Sequence, residues 1–474
     1  MFGQWLAAPA DGTPFVLCGY AGTGKTYLSM RLLAQAEEAG LCWTVVAPTH
    51  KAVGVLRDHL ERFGLQPTWF PSTIHRLLRL KLRREGDRER CEETSQTATA
   101  LEHLQLVLVD EASMVDGQLL AITLRCAQTF QCRLVFIGDP AQLPPVGEKG
   151  SPVFSLSRVC EAKLTHVVRH QGPVLRLATG LRLGALPCNR PPLLPPYRTA
   201  MGMVALLDPQ EWLLAAQMGL RRGKETDNPD LARILCYTNR RLEQLVPIAR
   251  RALHGAEADR VPVLPGEVLI SRAAVMAPAC MEEAMAPEAP EMCLSSNREV
   301  VVRDVEPGHL SLSGWDVGGE DIRGDGIETV MVRVDTGEST LTLRLLPPIG
   351  SASRQALDQA LQQLRGRARN AEKREARQLW RKFFLLRDSF ASLGPAAVLT
   401  VHRSQGSTFG EVFVAEDVFW PKDQQLRRQL VYVAVSRASE GVTLEAGRTS
   451  LGEQQKWRDW LDGTGEGDRG DAML

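Results

Sequence analysis

Four apolar residues, Phe15 to Cys18, run into the glycine-rich stretch GYAGTGKT (Gly19 to Thr26) and then into the helical pattern TYLSMRLLAQAEEAG. A buried strand, a glycine loop and a helix start, in that order, make a cradle for phosphate. Glycines let backbone N–H groups converge on the anion, and the helix N-terminus adds positive potential. Within it Lys25 is placed to reach the outer phosphates of a nucleoside triphosphate and Thr26 to offer its hydroxyl to magnesium. Gly22, Thr23, Gly24 and Tyr27 complete the candidate nucleotide contacts. A glycine-rich surface turn is the alternative, and the flanking strand and helix argue against it.

The same alternation continues to about residue 157, through WTVVAP, KAVGVLRDHLERFG, LQLVLVD and CRLVFIGD. Short apolar runs with helices between them predict parallel strands joined by crossovers, with helices on both faces of an α/β domain. The charged segment of about 78–93 reads as a short projecting hairpin or a charged surface helix. Five prolines between residues 184 and 196 exclude regular helix or central strand and indicate an ordered loop or linker. A second α/β pattern follows in pieces: ILCY at 234, AVLTV at 397, VFVA at 412 and VTLE at 442. Period-two stretches interrupt it (EVVVRDV, HLSLSGW, TVMVRVD, STLTLRL), which predicts a small inserted antiparallel barrel. Residues 275–293, rich in Ala, Met, Pro and Glu, read as a mobile excursion.

Past the barrel, leucines and phenylalanines at three- and four-residue spacing predict one or two amphipathic helices. Nine basic residues against two acidic ones between Arg365 and Arg387 suit either phosphate contact or a solvated face. The expected order is therefore 1–157, with the hairpin at about 78–100, then 158–262, the barrel at 263–350, 351–462, and a disordered tail, 463–474.

Composition excludes more than it assigns. Lysine plus arginine equals aspartate plus glutamate at 56 each, so the net charge does not point to a polyanion. Ten cysteines form no CxxC pair, no apolar run reaches about 18 residues, and the start lacks a signal-peptide pattern. A cytoplasmic chain with reduced thiols and no membrane partner is expected.

Two further segments carry chemistry. LVLVDE ends a buried strand in two acids: Asp110 is placed to hold magnesium and Glu111 to polarise an attacking water. A structural role for the pair is the competing reading. LVFIGDPAQLPPVGE places Gln142, whose amide both donates and accepts, where it can sense the terminal phosphate; a proline-stiffened turn is the alternative.

In order, GYAGTGKT, APTHKAV, STIH, VLVDEAS, GDPAQLPPVGE, LTHVVRH, ILCYTNRR, LTVHRSQGSTFGEVFV and YVAVSRA span Gly19 to Ala438. This series resembles the superfamily 1 DNA helicases, within them the 5′-to-3′ group that contains RecD and the phage Dda-like enzymes. The resemblance implies two RecA-like lobes with parallel sheets, ATP and Mg²⁺ between them, and single-stranded DNA across the top. It implies that Arg169 and Arg437 are arginine fingers, each otherwise a surface ion-pair residue, and that Gln405 and Gly406 link nucleotide to DNA. Thr49, His50, Thr73, His75, Thr400 and His402 become DNA contacts, with helix capping as the rival role for Ser72 or Thr73. Tyr237 would pack near the adenine or simply fill its strand. The hairpin would be a duplex-splitting wedge, and the barrel part of a tunnel around DNA.

The family normally opens with a helix bearing an adenine-reading glutamine. MFGQWLA reads as that helix's last turns, with Gln4 off the expected position. The resulting expectation is an ATP-dependent, Mg²⁺-dependent DNA helicase, a monomer acting 5′ to 3′ on single-stranded and duplex DNA. Single-strand-binding, replication and repair proteins are candidate partners. A DNA-stimulated translocase subunit of a larger repair or recombination complex is the second reading, and a nucleotide-dependent binding switch the third.

Overall fold

The computed structural model describes residues 1–85, 88–145, 147–165, 172–280, 291–313, 315, 317 and 326–463. The chain divides into two compact units. One takes residues 1–80, 93–253 and 397–474, the other 81–92 and 254–396.

The larger unit holds two six-stranded sheets. The first runs Ser72–Thr73, Trp43–Ala47, Leu106–Val109, Arg133–Gly138, Phe15–Gly19, Cys160–Leu164, every pair parallel. Alternate residues of each central strand bury on opposite faces. Phe15 and Leu17 join Leu33, Val45, Leu56 and Leu108 on one side; Val16 and Cys18 join Val46, Val107, Val109 and Phe136 on the other. This two-sided burial explains why the strands read as unbroken apolar runs rather than alternating ones. Cys160–Leu164 lies beyond the expected boundary at 157: it is an edge strand with every second residue exposed, so it carries no apolar run.

The second sheet runs Val398–Thr400, Ala232–Cys236, Phe409–Val414, Ala438–Glu445, Gly202–Leu207, Leu194–Thr199. Only the last pair is antiparallel. The proline-rich stretch thus ends in a strand, contrary to a pure linker. Pro195 and Pro196 are tolerated because Leu194–Thr199 is an edge, where a missing N–H costs no ladder bond. Trp212, with no exposed surface, packs with Ile234 and Phe413 beneath this sheet and donates its indole N–H to the Thr443 carbonyl.

In the smaller unit, Thr340–Arg344, Gly326–Asp335, Glu299–Ser311, Val268–Ser271 and Leu393–Pro395 form a five-stranded antiparallel sheet. The helices Ala352–Asn370 and Lys373–Asp388 belong to this unit, so the stretch expected at 351–462 is shared between the two. The charged segment forms two antiparallel strands, Lys81–Glu85 and Arg88–Glu92, rather than a helix. Of the excursion, Val275–Met276 pairs with Met292–Leu294, while 281–290 and the tail from 464 lie outside the described residues. Among the described residues no helix is long and apolar enough to cross a membrane.

Candidate active site and nucleic-acid surface

The phosphate loop is shaped by backbone need. At Gly19 a Cβ would lie 2.7 Å from Thr23 Oγ1 and 3.0 Å from Leu164 Cβ, so no side chain fits. Gly22 and Gly24 hold φ of +80° and +81°, in the left-handed region that glycine enters without steric cost. Gly24 caps the helix Lys25–Glu38 without a side-chain acceptor, which leaves the first-turn N–H groups for an anion. Lys25 Nζ donates to the Gly19 and Tyr20 carbonyls at 2.9 and 3.0 Å, and Thr23 Oγ1 to the Tyr20 carbonyl at 2.8 Å.

A cleft of about 510 Å³ opens over this loop. Of the sequence candidates, Gly22, Gly24, Lys25, Thr26, Tyr27, Asp110, Glu111, Gln142, Gly406 and Arg437 line it. Glu111 stands at φ +50°, uncommon for a residue with a side chain and a conformation that clusters at functional sites. Three side-chain atoms here are buried without any hydrogen-bond partner: Glu111 Oε2, Gln142 Oε1 and Ser407 Oγ. An unmet buried polar atom costs about 1–3 kcal/mol, so three converging on one cleft mark a place built for a polar ligand.

Desolvation first, and then the charge of Glu111, push the Asp110 carboxyl up to about 7, against the Glu111 backbone N–H and Lys25. Two adjacent carboxylates beside a phosphate loop suit a dication held by one carboxylate, a hydroxyl and phosphate oxygens.

Other candidates sit differently. Arg437, only 5% exposed, donates to the Val433 and Ser407 carbonyls and to Ser436 Oγ, each at 3.2 Å. Gln405 does not line the cleft; its Nε2 donates to the Leu143 carbonyl at 3.4 Å, which ties its segment to the loop of Gln142. Arg169 lies outside the described residues. Tyr237 is not a cleft residue. Its ring lies 6.1 Å from that of His402, and its N–H, with that of Thr238, is held by the buried carboxylate of Asp417.

The Thr/His candidates stand at carboxyl ends of parallel strands: Thr49 and His50 after Trp43–Ala47, Thr73 and His75 at Ser72–Thr73, Thr400 and His402 at Val398–Thr400. This is the edge of an α/β sheet where ligands bind. Thr49 and Thr73 also cap helices, accepting from the N–H of Ala52 and Arg76 at 3.3 Å each. Capping and ligand contact are compatible, since a hydroxyl that accepts keeps its proton to donate. Desolvation lowers the pKa of both His75 and His402, with Asp116 opposing it at His75. A lowered value favours the neutral imidazole, which can hydrogen-bond without carrying charge.

Sequence reasoning missed Asp139 and Tyr432. Asp139, fully buried, accepts from the Tyr432 hydroxyl at 2.7 Å and the Ala141 N–H at 2.9 Å. Both lie within quoted motifs, GDPAQ and YVAVSRA, but their pairing across 293 positions has no local signal.

Fold and cleft together define a P-loop nucleotide-binding protein with one parallel and one mainly parallel sheet. Residues 7–186 match the AAA domain family, and residues 395–444 the UvrD-like helicase C-terminal domain. The ATP-dependent DNA helicase dda of Enterobacteria phage T4 is 23% identical over 438 residues, 88% of this chain and 91% of that protein. The ATP-dependent RecD2 DNA helicase of Deinococcus radiodurans is 34% identical over 175 residues, 36% of this chain but only 22% of RecD2. Among solved structures, Bacteroides Pif1 bound to ssDNA aligns over 96% of this chain and 92% of that one, at 15% identity and a TM-score of 0.47. The sequence relatives bear out the resemblance, being helicases of the Dda and RecD2 kind to which this chain is similar.

Proposed function

We propose that this protein is an ATP-dependent DNA helicase that moves 5′ to 3′ on single-stranded DNA and separates duplex DNA. The observation that carries the reading is the cleft itself. It gathers Lys25, Asp110, Glu111, Gln142 and Arg437 around a phosphate loop, with three polar atoms buried and unpaired.

In this reading the loop N–H groups and Lys25 hold the phosphates of ATP. Thr26 and Asp110 would hold Mg²⁺, which when bound would screen phosphate charge. Glu111 Oε2 accepts a proton from the attacking water, and Gln142 orients that water against the terminal phosphate. Arg437, joined by Arg169, places positive charge where negative charge develops. Thr49, His50, Thr73, His75, Thr400 and His402 grip the sugar-phosphate backbone without reading bases. Since Gln405 is tied to the Gln142 loop, nucleotide state and DNA grip share a physical connection. The hairpin strands serve as the wedge and the five-stranded antiparallel sheet as the small barrel, both inserted in RecA-like lobes. The protein works as a monomer in the cytoplasm, beside single-strand-binding, replication or repair proteins.

The test is ATP turnover with and without single-stranded DNA. Stimulation supports a motor, and its absence from a folded protein removes that reading. A translocase that does not unwind would show stimulation without strand displacement.

A further inference from the structure

Two side chains on helices that contact the second sheet reach the first residues of the phosphate loop. Tyr432, in the helix Gln424–Ser436 and 3% exposed, donates its hydroxyl proton to Asp139 Oδ2 at 2.7 Å and accepts from the Ala21 N–H at 2.9 Å. Burial foremost, and then the Asp139 charge, raise the phenol well above its ordinary value, so the proton stays on oxygen and the direction of donation is fixed. Asp139 Oδ1 takes the N–H of Ala141, the residue before Gln142. Arg182, near the end of the helix Pro173–Leu183, lays its guanidinium 3.3 Å from the centre of the Tyr20 ring. Its Nη1 is buried without a hydrogen-bond partner.

The two helices pack on each other, and Arg437 follows Tyr432 by five residues at the end of one of them. One helix pair therefore touches Tyr20, Ala21 and the Gln142 loop, and also carries Arg437. A tyrosine that only filled space would not need both a donor and an acceptor from separate nucleotide-binding segments.

We propose that Tyr432 is a positioning residue that ties the phosphate loop and the Gln142 loop to the helix bearing Arg437, so that seating the nucleotide and placing Arg437 change together. Arg182 on Tyr20 is the second strand of the same tie. The inference deepens the ATPase reading above and rests on it. Replacing Tyr432 by phenylalanine keeps the ring and its packing but leaves Asp139 Oδ2 and the Ala21 N–H without their shared partner. If the role is to place Arg437, the loss appears in turnover rather than in nucleotide affinity, and vanishes once Arg437 is gone.

The experiment compares wild type, Tyr432→Phe, Arg437→Ala and the double variant, all in the full chain. Equilibrium binding of a fluorescent ATP analogue, kcat with and without single-stranded DNA, and melting temperature are measured for each. The proposal expects Tyr432→Phe to lower kcat at least tenfold, to hold the nucleotide Kd within threefold, and to add no further loss to Arg437→Ala. An unchanged kcat, a loss that multiplies with that of Arg437→Ala, or a fall matching the unfolded fraction would overturn it. Should Tyr432→Phe not fold, Arg182→Gln is read by the same cycle, with at least a threefold loss absent from the Arg437→Ala background. Because the cycle can be run on basal turnover, failure of DNA to stimulate the wild type would sink the motor reading separately from the tie.

Discussion

Arg437→Ala separates folding from chemistry. Arg437 is 5% exposed, and its guanidinium donates to the Val433 and Ser407 carbonyls and to Ser436 Oγ, each at 3.2 Å. Hydrogen bonds from a charged group contribute about 1.5–3 kcal/mol when well formed, and these are long. Truncation also removes a charge whose burial was itself costly, so the net loss should be about 1–3 kcal/mol, within the stability of an ordinary domain. Removing a donor aimed at developing charge costs about 100- to 1000-fold in kcat, or ~2.7–4 kcal/mol. The expectation is a folded variant that binds nucleotide within about tenfold of wild type and turns over at least about 100-fold more slowly. Steady-state ATPase at saturating single-stranded DNA, nucleotide binding and a circular-dichroism melt check it together. Turnover within threefold of wild type in a folded Arg437→Ala protein would remove this arginine from the reaction.

Lys25→Ala should abolish hydrolysis while the chain stays folded, and DNA-stimulated turnover retained by that variant would refute the phosphate-loop reading. Gly19→Ala forces a Cβ to within 2.7 Å of Thr23 Oγ1 and 3.1 Å of Lys25 Cγ. Overpacking of this kind costs about 1–3 kcal/mol, so a lower melting temperature with at least tenfold weaker nucleotide binding is expected from calorimetry and titration. Burial pushes the thiols of Cys18 and Cys132 up to about 12, while Cys42 is exposed. At pH 8 a thiol of that pKa is ionised to about one part in ten thousand, so iodoacetamide should modify Cys42 and spare both until the protein unfolds, as mass spectrometry would report.

What could be read from the sequence was local. The strand, glycine loop and helix of residues 15–38 declare themselves because every constraint on them lies within one βα unit. Most central strands of both sheets were legible for a related reason, since burial on two faces leaves unbroken apolar runs, whereas Gly202–Leu207 was not read. Of the sheets' four edge strands, Val398–Thr400 was read and the rest were not. Cys160–Leu164 alternates with solvent, and Leu194–Thr199 carries prolines that only an edge accepts. Least legible were the long-range polar bonds. Tyr432 with Ala21 spans 411 positions and Gln405 with Leu143 spans 262, and no periodicity marks either partner.

The central claim is that phosphate chemistry in this cleft drives directed travel on DNA. Strand displacement from duplexes carrying a 5′ tail or a 3′ tail, with ATP and Mg²⁺, tests it most directly. Displacement from the 5′-tailed duplex, absent from the 3′-tailed one and absent with Lys25→Ala, is the result expected. Displacement from neither tail by a protein that hydrolyses ATP would contradict the helicase reading, and displacement from the 3′ tail alone would reverse its direction.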